Sequence, residues 1–305
     1  MTKKTGTKTS SSEDQQEKLR EQLVRAAGEH HIDPRQLEAI IEHERYHAAA
    51  PSLDLSKHVK KGKVTIGALD STRLNSRFMR PDIYRSLYER FRQFKVSYVL
   101  HCGDMTDGYL RYPTHVDDII FQNYEEMLER LFDPDEPFGY PSIGVPTYFI
   151  GGNIDKSFMK RRMESGERTN VCEDITDRRE DLVFLGWNGA TIRIAPETTV
   201  RLSHPLPGLG SKKPYAISYP LQLRVAAFGA GQKPDILMSG FFQQRYHFTW
   251  RGIEAQLIPS CISQTPIELE RNIPAPALGG VIFEVYFDKQ GGLKELVSID
   301  LPFYG

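Results

Sequence analysis

Apolar runs in this 305-residue chain repeatedly stop at short polar clusters. Asp70-Ser71-Thr72-Arg73 follows the run 64–69, Gly103-Asp104-Met105-Thr106-Asp107 follows 96–101, and Gly152-Asn153 follows 145–150. Ser203-His204 and the stretch from Gly240 onward close two later runs. In open sheets, ligand sites form outside the carboxyl ends of strands. Carboxylate, amide and imidazole donors arriving there together are the donor set of a metal centre. Each cluster alone is also an ordinary turn or cap, since Asp, Asn and Gly are turn residues; the order of the set carries the reading.

A second pattern, His43-Glu44-Arg45-Tyr46-His47, has the zinc-peptidase spacing His-Glu-x-x-His. On a helix this puts both imidazoles on one face, with Glu44 as a base. A polar helix rich in His and Glu produces the same string by chance, and a peptidase needs a third ligand and a sheet edge for peptide. The zinc-peptidase reading is the remote one. Gly208-Leu209-Gly210 reads as a turn, not a phosphate loop, because no helix follows it.

The positioning elements follow from periodicity. Residues 64–69, 96–101 and 145–150 read as buried strands, and 81–94 and 116–132 as amphipathic helices. Strand, helix, strand, helix, strand argues for a parallel sheet with crossover helices. Beyond about residue 181 the pattern becomes strands with short turns, including the hairpin signal 288–292. The expected fold is α/β: a four-layer αββα sandwich of two mixed sheets flanked by helices. Residues 1–15 are expected to be a disordered tail, 16–48 a helical hairpin with Asp33 as N-cap and Pro34 as first helical residue, and 49–62 a linker before the domain at 63–305. The hairpin resembles a helix-turn-helix, but Glu38, Glu42 and Glu44 make its second helix acidic, which disfavours a DNA reader.

Composition sets outer bounds. A hydrophobic content of 39% with 26% charged residues is that of a globular protein, and 39 basic against 40 acidic residues argue neither for nor against nucleic acid. No stretch is long and apolar enough to cross a membrane, and no apolar signal core opens the chain. Cys102, Cys172 and Cys261 are too few and too far apart for a disulfide framework; small buried residues in a reducing compartment are expected. The expected location is cytoplasmic or intracellular, or virion-associated for a phage-encoded chain.

From about residue 63 to the end, the order of motifs resembles the calcineurin-like metallophosphoesterases, with the nearest likeness to phage and prokaryotic members. In that family a strand ends in Asp-x-His, a second in Gly-Asp-x-x-Asp and a third in Gly-Asn-His-Asp or Glu, followed by a lone His and by Gly-His-x-His. Here 101–108 matches the second motif, 151–155 the third except for its His, and 201–205 the lone His. The resemblance implies two-metal hydrolysis, in which two cations about 3.5–4 Å apart activate water and clamp phosphoryl oxygens. Carried over by position, Asp104 bridges, and Asn153 and His204 remain as ligands of the second ion. Ser71, Arg73 and Gln243 occupy first-ion positions, Phe241 a second-ion position, and Ile154 the catalytic imidazole position.

A first-ion site with one carboxylate and a permanently charged Arg should not hold a divalent cation. No cofactor is therefore expected, or at most one Mn, Mg or Zn ion near Asn153 and His204. Asp107 and Asp70 are further candidate ligands from the same clusters. Asp70 precedes the expected position by one residue; a small strand shift could bring it to the site, but neighbours on a strand point to opposite faces. Arg73 is expected to pair with Asp104. These losses suggest a catalytically inactive phosphoesterase fold acting as a binding or structural module in a larger assembly, with protein partners, self or other. The alternative is a one-metal phosphodiesterase or nuclease, for which nucleic acid would be the partner.

Overall fold

The computed structural model describes residues 53–161, 168–205, 218–229 and 231–304. The expected tail, the helical hairpin at 16–48, the His43–His47 motif and the 208–210 turn lie outside the described residues.

Two six-stranded mixed sheets form the body. One has the order β12-β11-β2-β3-β4-β5, with β2 (Lys63–Leu69), β3 (Tyr98–His101), β4 (Thr147–Gly151) and β5 (Leu182–Trp187) parallel. β11 (Gly279–Phe287) and β12 (Leu293–Pro302) close it as an antiparallel hairpin. The other has the order β1-β6-β7-β8-β10-β9, from β1 (Leu53–Asp54), β6 (Gly189–Ala195), β7 (Thr198–Ser203), β8 (Ile236–Ser239), β9 (Tyr246–Trp250) and β10 (Ile253–Leu257). β1 lies inside the segment expected as a linker: Leu53 pairs with Ile192, so the chain joins this sheet ten residues before β2.

Strand alternation sorts the side chains into layers. Ile66, Ala68, Tyr98, Leu100, Tyr148 and Ile150 face the second sheet and meet Ile192, Val200, Leu202, Ile236 and Met238. Leu69, Val99 and Phe149 face outward, against α1 (Pro81–Gln93), α3 (Tyr124–Leu131) and α4 (Val171–Arg178). On the far side, Leu221 and Val225 of α5 (Tyr219–Ala227) cover Leu237, Ala255 and Leu257. The order is helix, sheet, sheet, helix, as expected.

Helix α1 shows how sequence builds a layer. Pro81 starts it with its φ preset and no N–H to waste, and Asp82 sits at the positive end of the dipole. Ile83, Tyr84, Leu87, Tyr88 and Phe91 form one buried stripe, each contributing about 1.5–3 kcal/mol through burial. The stripe presses on Gly67 of β2, where a Cβ would come within 2.9 Å of the Phe91 ring.

The helix expected over 116–132 is two: α2 (His115–Asp118) and α3. Asn75 makes the break. Its amide accepts from Phe121 N at 2.7 Å and donates to Phe121 O at 2.9 Å, pulling that residue's backbone out of helical pairing. Asn123 then caps α3, its side chain accepting from Glu126 N.

Candidate metal centre

The parallel strands of both sheets end at one place. β2 delivers Asp70, β3 delivers Asp104, β4 delivers Asn153, β7 delivers His204, and β8 delivers Gly240 and Phe241. The loops beyond them are tightly coiled. Ser71, Arg73, Asn75, Asp104, Phe241 and Gln243 all have φ between 43° and 79°, a conformation that costs L-residues energy and concentrates at functional sites.

His204 is the hub. Its Nδ1 lies 2.9 Å from the Cys102 carbonyl oxygen, to which it donates. Its Nε2 lies 3.1 Å from Asn153 Oδ1 and 3.2 Å from Asp104 Oδ2. Both nitrogens face oxygen, so without a cation both carry protons. Burial alone would lower the His204 pKa, but Asp104 and Asp70 raise it to about 9. Burial pushes Asp104 up, and His204 with the Ile154 amide, 2.8 Å from Asp104 Oδ1, more than offsets it and holds the carboxyl low.

Asp70 is the main correction to the sequence reading. It leaves β2 fully buried, with Oδ1 4.0 Å from His204 Nδ1. Its Oδ2 accepts from Ser71 Oγ and Phe241 N, while Oδ1 has no hydrogen-bond partner among the described residues. Burial lifts its pKa to about 7 and Asp104 adds to the rise, against His204. The carboxylate that β2 brings to His204 is therefore residue 70. The alternation argument failed because β2 ends at Leu69, and past that point the chain turns.

Thr72 follows two residues on and is fully buried. Thr72 donates to Met105 O at 3.0 Å and lies 3.1 Å from His101 Nε2. His101 Nδ1 accepts from Gly103 N, so its Nε2 carries the proton and donates to Thr72. Burial holds the His101 pKa down at about 3, so the ring is neutral. Sequence reasoning passed over His101 as a strand residue; its place directly before Cys102-Gly103-Asp104 was the available signal.

Arg73 does not reach Asp104 as its hydrogen-bond partner. Its Nε and Nη2 sit 2.7 and 2.6 Å from Asp107 Oδ1, and its Nη1 is 3.6 Å from Glu268. Asp107 also takes Arg111 at 2.9 Å and His115 Nε2 at 3.1 Å. Both Asp107 oxygens are thus occupied by protein cations and donors, which removes it from the candidate ligands. Asp155, also passed over, is a clamp: it accepts from Met105 N, Thr106 N, Thr106 Oγ1 and Gly152 N, binding the β3 and β4 loops together.

These donors can be tested against a metal. Adjacent ligands of one ion at about 2.0–2.2 Å stand about 3 Å apart, the spacing of His204 Nε2 from both Asp104 Oδ2 and Asn153 Oδ1. The Nδ1 bond to a carbonyl is the usual way to aim Nε2 at a metal. One divalent cation fits there once His204 loses a proton. A second fits poorly. Among the described residues no group of three or more His, Cys, Asp or Glu is placed to hold an ion. Ile154 is 8% exposed beside Asp104, and the Phe241 ring stands edge-on to His204 at 5.6 Å.

No family model and no curated protein matches the sequence. Solved structures do. An archaeal phosphodiesterase overlaps 78% of this chain and 100% of its own, at 14% identity and a TM-score of 0.38. Vacuolar Protein Sorting 29 from Cryptosporidium parvum overlaps 80% and 100%, at 15% identity and TM-score 0.36. A dimetal phosphatase from Danio rerio overlaps 78% and 98%, at 12% and 0.36. Overlaps this loose add nothing to what the strand order establishes about the fold.

The close packing makes one residue diagnostic. Gly103 has φ +110°, and a Cβ there would stand 2.4 Å from His204 Nδ1. Gly103→Ala is expected to cost about 2–4 kcal/mol in urea unfolding, from strain plus overpacking. A loss under about 0.5 kcal/mol would mean His204 is not seated against β3.

Proposed function

We propose that this chain is a metallophosphoesterase-fold protein that does not hydrolyse phosphoesters and serves as a binding or structural module. The observation that carries this is Ile154. It follows Asn153, where the family resemblance calls for the catalytic imidazole, and an alkyl side chain can neither protonate a leaving group nor orient water. Its neighbours are consistent with it: Phe241 and Gln243 stand at two further positions where the resemblance implies metal ligands. Protein partners, self or other, in an intracellular setting suit such a module.

A one-metal phosphodiesterase or nuclease is the second reading, favoured by the spacing of Asp104, Asn153 and His204. A bound divalent cation would supply Lewis-acid polarisation of a phosphoryl oxygen. On this chain's side, Cys102 O would hold the His204 tautomer and the Ile154 amide would orient Asp104. Metal content by mass spectrometry, after purification with manganese, separates the two. The inactive-module reading expects substoichiometric metal, unchanged by His204→Ala. One equivalent that is lost in His204→Ala would favour the enzyme.

A further inference from the structure

The edge strand β9 ends its sheet, and among the described residues no strand pairs on its outer side. It is Tyr-His-Phe-Thr-Trp, with Tyr246 37% and Trp250 45% exposed. Edge strands are normally guarded by Lys, Pro, inward charge or a bulge; residues 246–250 include no Lys, Arg, Asp or Glu, no Pro and no register shift. The flanking arginines are held on their own chain: Arg245 by Asp300 and Gln256, Arg251 by the carbonyls of Val225 and Ala226.

The backbone polarity of this edge can be worked out. Glu254 N donates to Asp235 O and Ile258 N to Ser239 O, so alternate β10 residues point toward β8. Ile253, Ala255 and Leu257 therefore point toward β9 and bond Trp250, Phe248 and Tyr246, their register partners. The N–H and C=O groups of His247 and Thr249 are left pointing outward. They flank Phe248 symmetrically. A two-fold axis through Phe248 puts His247 opposite Thr249 of a second copy, and Thr249 opposite His247, both as hydrogen-bonded pairs. The same axis puts Tyr246 across from Trp250, an aromatic cross-strand pair on the face that carries Phe248.

We propose that β9 is the seam of a symmetric dimer, pairing antiparallel with β9 of a second copy so that the two sheets become one. The edge is self-complementary in hydrogen-bond parity and in side chains, which favours a second copy over an unrelated peptide. This does not rest on the reading of the metal centre. A five-residue seam is small against the roughly 800 Å² per partner of a stable interface, so the dimer is expected to dissociate on dilution.

Sedimentation of the full chain over a concentration series, with three variants, tests this. Thr249→Pro removes an outward N–H and leaves the β10 bonds intact, an edge position where Pro is tolerated; it should be monomeric with an unchanged far-ultraviolet spectrum. Thr249→Val loses only the hydroxyl bond to Glu254 and should still dimerise. Phe248→Cys should give a disulfide-linked dimer on mild oxidation, because Cys102, Cys172 and Cys261 are buried. A wild type that stays monomeric at high concentration, a dimeric Thr249→Pro, or a Phe248→Cys that fails to cross-link would each overturn the seam.

Discussion

Arg73→Ala is expected to lower unfolding stability by about 3–5 kcal/mol, the usual cost of leaving one member of a buried ion pair alone. The guanidinium is 2% exposed and makes two contacts with Asp107, itself fully buried. Burial would lower the Arg73 pKa, but Asp107 and Glu268 more than restore it, so the charge persists. Removing it leaves Asp107 with Arg111 and His115 only, and leaves Glu268, which caps α6 (Pro266–Glu270), without its inner counter-charge. Arg73→Ala with Asp107→Asn should recover part of the loss, since the orphaned charge goes too. An Arg73→Ala protein within about 1 kcal/mol of wild type in urea would show that the pair is not the strut between the β2 and β3 loops.

The second large effect is on pH. With a folded pKa of about 9 against 6.5 unfolded, His204 binds a proton more tightly when folded. Its contribution is complete below about pH 6.5 and is lost as pH rises through 9, amounting to about 3 kcal/mol at one pKa unit per 1.36 kcal/mol. Asp70 and Asp155, raised to about 7 and about 6, act in the same direction but are largely spent by about pH 8. Asp104 and Asp107, both lowered, act only in acid. Urea unfolding in chelator from pH 8 to 9.5 should therefore show a decline that His204→Gln abolishes. Equal slopes in the two proteins would mean His204 is not an imidazolium against Asp104. Manganese that flattened the wild-type slope would point to the one-metal reading, because a bound cation takes the place of the proton.

Most of the fold was legible because burial imposes strict periods. The parallel strands ending at Leu69, His101 and Gly151 are apolar runs closed by polar clusters, and the later hairpins carry turn signals such as Asp288–Gly292. What was hidden depended on contacts distant in sequence. Asn75 splits a helix by bonding Phe121, 46 residues away, and within 119–123 only the N-cap residue Asn123 hints at the break. At the site, Asp104, Asn153 and His204 could be placed because each stands within three residues of a strand's end. The first cluster was harder to place, since β2 gives way at Asp70 to a loop with alternating positive φ at Ser71, Arg73 and Asn75, which turns Asp70 toward His204 and Arg73 toward Asp107 rather than Asp104.

The central claim is that this site no longer turns over phosphoesters, and hydrolysis of a simple chromogenic phosphodiester tests it most directly. The wild-type chain would be loaded with manganese and run beside Asp104→Asn at high enzyme concentration. Release by the wild type at the rate of Asp104→Asn is the predicted result, because Ile154 supplies no general acid. Turnover well above that of Asp104→Asn would contradict it and assign the chain to the one-metal enzymes.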